Sequence, residues 1–578
     1  MPRKTYAIGQ IPELPQPETG GLGWLWRLSY TALTTLCLLG LTGVSAPSLQ
    51  RQDVELKGLP ELSPATSLSK LNGTPVLPPA TGLSLLKIGI VQRFGEKPTH
   101  QLNLQATPGD RLTLNFKTGD RQQTIQANSV KLEVVMQPLS APTVDERVVL
   151  STHRSFESAE DSAQQWRSQG IEVEIAEPKS WQVWAKREVY NTPLLRRLLL
   201  QSLQAAGVKT AYINTQILKQ VPRVTWVVNG NRYSLQQLDV AADKNLIQVK
   251  QGEDDRSDHL YAGRLQLLPN AYGTYTLVND VPLETYLRGV VPNEIEASAP
   301  DAALEAQAII ARTYALRNLR RFAVDDYELC ATTDCQVYLG LTGTTANTDR
   351  AITTTRGQVL TYQNQLVDAV YSSTTGGVTA AFSDVWNGAE RPYLQPVVDA
   401  TSKVWNLQSH SLADEKNFQR FIDLRQGFNE TGSYRFRWRF ESSMTQLAQD
   451  LQHYLKTTKS PMANFKTLQQ LSVVQRSPAG RILKLAVKTD LGIFALEKDE
   501  IRNAFSAPKS TLFYLQPLNQ GQNTLRGYAF IGGGLGHGVG LSQTGCQELA
   551  KLGWSSLRIL NFYYAGTQIQ ILGTAIQP

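Results

Sequence analysis

A chain of 578 residues is too long for one hydrophobic core, so several domains are expected. Its composition, 41% hydrophobic and 19% charged, is that of an ordinary globular protein. The formal charge of +7 is spread along the chain with no dense basic run, which argues against a nucleic-acid arm and suits an anionic polymer.

Taken in chain order, residues Leu28 to Ala46 carry no charge and follow Arg27, with Arg3 and Lys4 reinforcing a positive cytoplasmic side. Residues 1–46 are read as a cytoplasmic lead and export segment. Val44-Ser45-Ala46 suits cleavage as a signal peptide, whereas Pro47 and the long polar lead suit an uncleaved membrane anchor; both readings stand. Either one places the protein in the cell envelope, periplasmic or extracytoplasmic. Residues 47–84, rich in Pro, Gly, Ser and Leu, read as a linker. Short alternating runs such as RLTLNFK and KLEVVM predict a small β-module over 85–140. Residues 146–214 read β-α-β-β-α-β, with helices across Ser158–Gly170 and Thr192–Gly207. This order, opening on a strand and a helix that ends in Gly, resembles a SPOR domain, which binds peptide-free peptidoglycan strands. An ordinary α+β spacer is the alternative. From 223 to 575 the chain is β-rich again, interrupted by a helical, polar insertion at 402–470.

The most informative stretch is GVVPNEIEASAPDAALEAQAIIARTYAL, Gly289 to Leu316. It sets Glu294 on a Pro-restricted turn before an amphipathic helix, with Ser298 and Asp301 as capping residues and Pro300 in the first turn. Leu304, Ala308, Ala311, Ala315 and Leu319 recur as a small-residue face. A carboxyl group held beside such a helix is partly desolvated, which raises its pKa and fits it to donate a proton. Among its neighbours, Glu296 lacks the Pro-x-Glu placement, Glu305 reads as surface, and Glu284 is expected to pair with Arg288.

This segment resembles the signature of the SpoIID/LytB family. The resemblance extends through VNDVPLETYLRG (278–289), CATTDCQVYLG (330–340), YSSTTGGVT (371–379), GHGVGLSQTGCQELAKLG (536–553) and NFYYAGT (561–567), in the family's order. It implies an α+β multidomain protein: a β-rich N-terminal module, a SPOR-like βαββαβ domain and a C-terminal β-rich SpoIID catalytic domain with a signature helix. It also implies a lytic transglycosylase that cleaves the bond between N-acetylmuramic acid and N-acetylglucosamine. The sugar's own 6-hydroxyl is then the nucleophile, so one carboxyl group, Glu294, can manage both proton transfers. No cofactor is required. The rival reading is a non-catalytic peptidoglycan-binding activator of a cell-wall amidase. The partners implied are peptidoglycan strands, a cell-wall amidase, and the membrane where the N-terminal segment stays uncleaved; no nucleic acid is implied.

Around Glu294, the expected substrate-binding residues are Arg312, Gln336, Tyr338, Ser373, Gly376, Gly377, His537, Ser542 and Gln543. Arg312 is read as a partner for a lactyl carboxylate and Tyr338 as a platform for a sugar ring. Gly376 and Gly377 lie on a substrate-facing turn, and His537 in the loop GGGLGHGVG bonds substrate or orients Glu294. That loop lacks the Lys-Ser/Thr of a phosphate loop, so nucleotide binding is not expected. The resemblance implies that relatives often carry His where this chain has Ser372. Cys330 and Cys335 form a disulfide in an oxidising envelope or hold zinc. The disulfide is favoured, because two thiolates without a nearby histidine are a poor zinc set.

Overall fold

The structure, a computed structural model, describes residues 85–573 apart from 119, 236, 253–257, 459 and 522–523. The export segment with Cys37, and the linker up to 84, lie outside the described residues. Among the described residues no helix is long and apolar enough to cross a membrane.

Two sheets face each other across one core. The first runs, edge to edge, Leu329–Cys330, Leu85–Phe94, Tyr275–Pro282, Arg264–Pro269, Leu238–Ala242, Leu112–Thr118, Arg121–Ala127. The second includes Asp258–Ala262, Leu246–Gln251, Gln101–Ala106, Ser129–His153, Trp181–Ala185 and Val173–Ala176. Alternation drives the packing: Leu112, Leu114 and Phe116 point inward, as do Leu102, Leu104 and Trp226 from the opposite sheet.

The strands expected as a separate module over 85–140 therefore do not stand alone. Leu85–Phe94 pairs along Tyr275–Pro282, and Leu112–Thr118 pairs with Leu238–Ala242. So short a segment cannot cover its own apolar face, and strands from 238–282 cover it. The boundaries expected near 140–146 and 214–223 also fall inside continuous strands. Ser129–His153 and Tyr212–Val228 pair from Lys131↔Val227 to Val149↔Tyr212, with one register shift between Pro138 and Thr143.

At the far end of that ribbon sits the βαββαβ unit, in the expected element order. Helix α1 (Phe156–Ser168) begins at Ser155, whose side chain accepts the Ser158 N–H. Helix α2 (Pro193–Ala205) begins at Thr192 with Pro in its first turn. The unit's strands are antiparallel in the order Tyr212–Val228, Ser129–His153, Trp181–Ala185, Val173–Ala176.

Helices α3 (Leu283–Glu294), α4 (Asp301–Arg317) and α5 (Ala346–Thr354) follow the sandwich. The insertion then carries α6 (Glu415–Asp423), α7 (Met444–Thr457) and α8 (Asp499–Ala504). It has its own core, with Leu447, Leu451, Ile482, Leu485, Phe513 and Phe530 buried together. ILKLAVKTD therefore belongs to the insertion's sheet, Leu468–Arg476, Ile482–Thr489, Gly492–Glu497, and the insertion runs on to about Gly532 rather than ending at 470. Two last helices, α9 (Gln543–Lys551) and α10 (Ser556–Tyr563), pack on α4.

Helix α4 differs from its expectation. It is enclosed, not amphipathic: every residue from Ala303 to Leu316 is buried except Glu305. Its alanines let α3, α5, α9 and α10 approach from several sides. Pro300, with no side-chain bond to offer, occupies the cap position, and Asp301 pairs instead with Arg350.

Candidate active site

Glu294 closes the last turn of α3, so Val-Pro-x-Glu is the end of a helix rather than a turn. Pro292 has no N–H to continue the helical ladder, and the Asn293 side chain donates to the Gly289 carbonyl at 2.8 Å. Gly289 cannot carry a side chain, since a Cβ there would lie 2.1 Å from the Gly340 carbonyl oxygen. That close approach presses α3 against the 330–340 loop, which is closed by a Cys330–Cys335 disulfide. Among the described residues no group of His, Cys, Asp or Glu is arranged to hold a metal.

The loop delivers the Val337 N–H to Glu294 Oε1 at 2.7 Å. The Tyr371 phenol and the Gln543 amide also hydrogen-bond the carboxyl group. Gln336 Nε2 donates to the Tyr371 oxygen at 3.0 Å while Gln336 Oε1 accepts from the Tyr286 hydroxyl at 3.2 Å, which leaves the Tyr371 hydrogen free to face Glu294. Burial raises the Glu294 pKa above its ordinary 4.5, and the bonds from Val337, Gln543 and Tyr371 oppose that rise without cancelling it.

Glu294 faces a cavity of about 500 Å³. Tyr371, Trp386, His537 and Gln543 line it beside Glu294. Arg154, Phe156 and Trp181 come from the βαββαβ unit, Asp334 from the disulfide loop, and Asp499 and Arg502 from α8. His537 stacks on Trp386 with ring centroids 4.9 Å apart, and its Nδ1 accepts the Val539 N–H at 3.0 Å. The remaining hydrogen is on Nε2, which meets the Tyr371 carbonyl, and burial depresses the His537 pKa to about 4. His537 is thus a neutral buttress for Tyr371, acting on Glu294 through that residue.

Residues 271–362, which hold α3, α4, Glu294 and the disulfide loop, match the family model described as Stage II sporulation protein. This stretch is a SpoIID family domain. A second match, to a domain of unknown function (DUF8618), covers 380–540 and so takes in Trp386, the insertion and the glycine loop. The chain is 30% identical over 304 residues to the amidase enhancer of Bacillus subtilis, covering 49% of this chain and 40% of that protein. It is 27% identical over 308 residues to stage II sporulation protein D of the same organism, covering 50% and 75%. An uncharacterized protein of Brachyspira hyodysenteriae is 25% identical over 360 residues, covering 61% and 84%.

Within the SpoIID domain and its surroundings, several expected site residues do other work. Arg312 is fully buried and bidentate to Glu284, at 2.8 Å in both bonds, and also donates to main-chain carbonyls, so it cannot reach a lactyl carboxylate. Arg288, the expected partner of Glu284, pairs with Asp349 instead. Tyr338 is buried under α3, bonded to Asn279 at 2.8 Å and packed on Tyr286 and Tyr261, and offers no face to a sugar. Gly376 and Gly377, with φ of +77° and +85°, aim successive N–H groups at the buried Glu430 carboxylate, at 2.8 and 2.9 Å. Ser542 caps α9 and its hydroxyl also donates to Glu430, so these three residues build a carboxylate cradle rather than a substrate surface. Ser373 lines the cavity, its hydroxyl accepting from Arg435 at 2.9 Å. Gln543 anchors Glu294 twice, since its Nε2 also donates to the main-chain carbonyl. The cavity residues Tyr371, Trp386, Arg154 and Asp334 were not singled out in the sequence. Tyr371 and Asp334 sit inside blocks the resemblance had marked, while nothing local points to Trp386 or Arg154.

Proposed function

We propose that this protein is an exported peptidoglycan lytic transglycosylase that uses Glu294 as its single acid and base. The observation that carries the reading is a carboxyl group with a raised pKa, held by the Val337 N–H and faced by Tyr371 and Gln543, in the wall of a cavity large enough for sugar rings. The protonated Glu294 gives its proton to the oxygen between N-acetylmuramic acid and N-acetylglucosamine as that bond breaks. The muramic 6-hydroxyl then bonds to the anomeric carbon, and the Glu294 carboxylate takes the hydroxyl proton. The products are a 1,6-anhydro end and a free sugar end, with Glu294 protonated again. Peptide-free strands are the substrate proposed, with the βαββαβ unit as the glycan-binding wall of the site. The name of the amidase enhancer relative favours a second reading, in which the same cavity binds glycan and the protein activates a partner amidase.

The test is mass spectrometry of peptide-free strands and intact peptidoglycan after incubation with the full chain. The expected result is 1,6-anhydro ends that disappear in Glu294→Gln. Tight glycan binding with no product from the unaltered protein would reject the enzyme and favour the activator.

A further inference from the structure

We propose that Arg154 is an anion subsite of the Glu294 cavity that takes the free lactyl carboxylate of a muramic acid residue. It would thereby favour strands stripped of peptide, in which that group is a carboxylate rather than a neutral amide. The inference rests on the peptidoglycan reading above and adds the residue that selects among strands.

Among the described residues three arginines line the cavity, and two are already committed. Arg321 pairs with Glu157 and donates to the Tyr314 hydroxyl at 2.9 Å and the Asp334 carbonyl at 2.7 Å. Arg502 holds Asp499 through two bonds of 2.8 Å. Among the described residues Arg154 has no hydrogen-bond or ion-pair partner, and its Nε is buried without an acceptor. It stands over the Tyr454 ring, whose centroid lies 5.5 Å from the guanidinium carbon, and its charge is felt by Glu500 without an ion pair between them. Asp334 is the lining carboxylate that could compete for it, but the charge of Asp334 acts on Arg321 and Arg502.

The backbone around Arg154 is fixed on both sides. The strand Ser129–His153 ends one residue before it, and Ser155 caps α1 one residue after it. The guanidinium therefore starts from a rigid junction at the N-terminal, partly positive end of α1. Its flat fork of donors matches a carboxylate. A glycan carries no anion along its backbone except where a lactyl group is free, so the chemistry of the pocket singles out that group.

The experiment measures binding in full-length Glu294→Gln, so that turnover is absent, with and without Arg154→Gln and Arg154→Lys. The ligands are peptide-free strands, peptide-bearing strands and N-acetylglucosamine oligomers, which have no carboxylate. Arg154→Gln should raise the Kd for peptide-free strands roughly ten-fold or more. It should leave the oligomers unchanged and bring the preference for peptide-free over peptide-bearing strands close to parity. Arg154→Lys should retain part of the preference. Equal weakening for all three ligands, or none, would overturn the subsite; equal Tm values exclude misfolding. If the unaltered protein makes no anhydro ends but Arg154→Gln still abolishes the preference, the transglycosylase fails and the subsite stands. Anhydro products together with an unchanged preference would do the reverse.

Discussion

Burial and hydrogen bonding pull the Glu294 pKa in opposite directions, and burial is the larger influence. An acid must be protonated to act, so activity should fall as pH rises through the raised pKa. Gln543 is one of the groups that hold that pKa down. Replacing it by Leu removes a stabiliser of the carboxylate, raises the pKa further and moves the alkaline limb of the pH–rate profile to higher pH. A profile that keeps its shape while losing height would mean that Gln543 serves only the main-chain carbonyl of Glu294. His537 cannot produce that limb, because its pKa near 4 keeps it neutral across the working range. The limb belongs to Glu294.

The loop 371–379 and the start of α9 are held together by a carboxyl pair that never touches the cavity. Glu430 accepts from the N–H groups of Gly376 and Gly377 and from the Ser542 hydroxyl, and Thr375 adds a hydroxyl bond at 3.0 Å. Asp399 accepts from Asn429 and Tyr563, both at 2.8 Å. Burial first, and then the charge of Glu430, push the Asp399 pKa well above the carboxylate range, so Asp399 is the member of the pair that takes up a proton. The two substitutions should therefore differ sharply. Asp399→Asn supplies an N–H where the acid proton was and should cost within about 1 kcal/mol. Glu430→Gln turns an amide donor toward an array of donors and should cost about 3 kcal/mol, with activity lost as Tyr371 and Gln543 shift. Denaturant unfolding of both variants checks this. None of it was legible in the sequence, where Glu430 lies in an unremarkable NETG run and the glycines read as a substrate turn. The strands, the βαββαβ order and the Glu294 block were legible, because alternation, caps and Pro-x-Glu are local signals. Which strand pairs with which, and that Arg312 would meet Glu284 across two helices, depend on long-range packing that no local pattern encodes.

At the scale of the molecule, the cavity is an interface between parts that are separate in sequence. The SpoIID segment supplies Glu294, the insertion supplies Asp499 and Arg502, and the βαββαβ unit supplies Arg154, Phe156 and Trp181. The βαββαβ unit is fastened by Glu157 and Glu160 of α1 to Arg321 and Arg320, and by Trp181 packed on Phe322. Arg321 is only 4% exposed, so its charge depends on Glu157 for compensation. Glu157→Gln leaves that charge buried without its carboxylate and should cost about 3 kcal/mol, seen as a lower Tm. In the proposed mechanism the wall it displaces would bind substrate and carry none of the chemistry. KM should therefore rise several-fold while kcat falls little, since Glu294, Val337 and Tyr371 stay in place. Glu160→Gln is the control: its pair with Arg320 is about one-third exposed on both sides, and its loss should move Tm and KM far less. A kcat loss matching the KM rise in Glu157→Gln would mean that the βαββαβ unit also positions Glu294, through Arg321, Tyr314 and Tyr371.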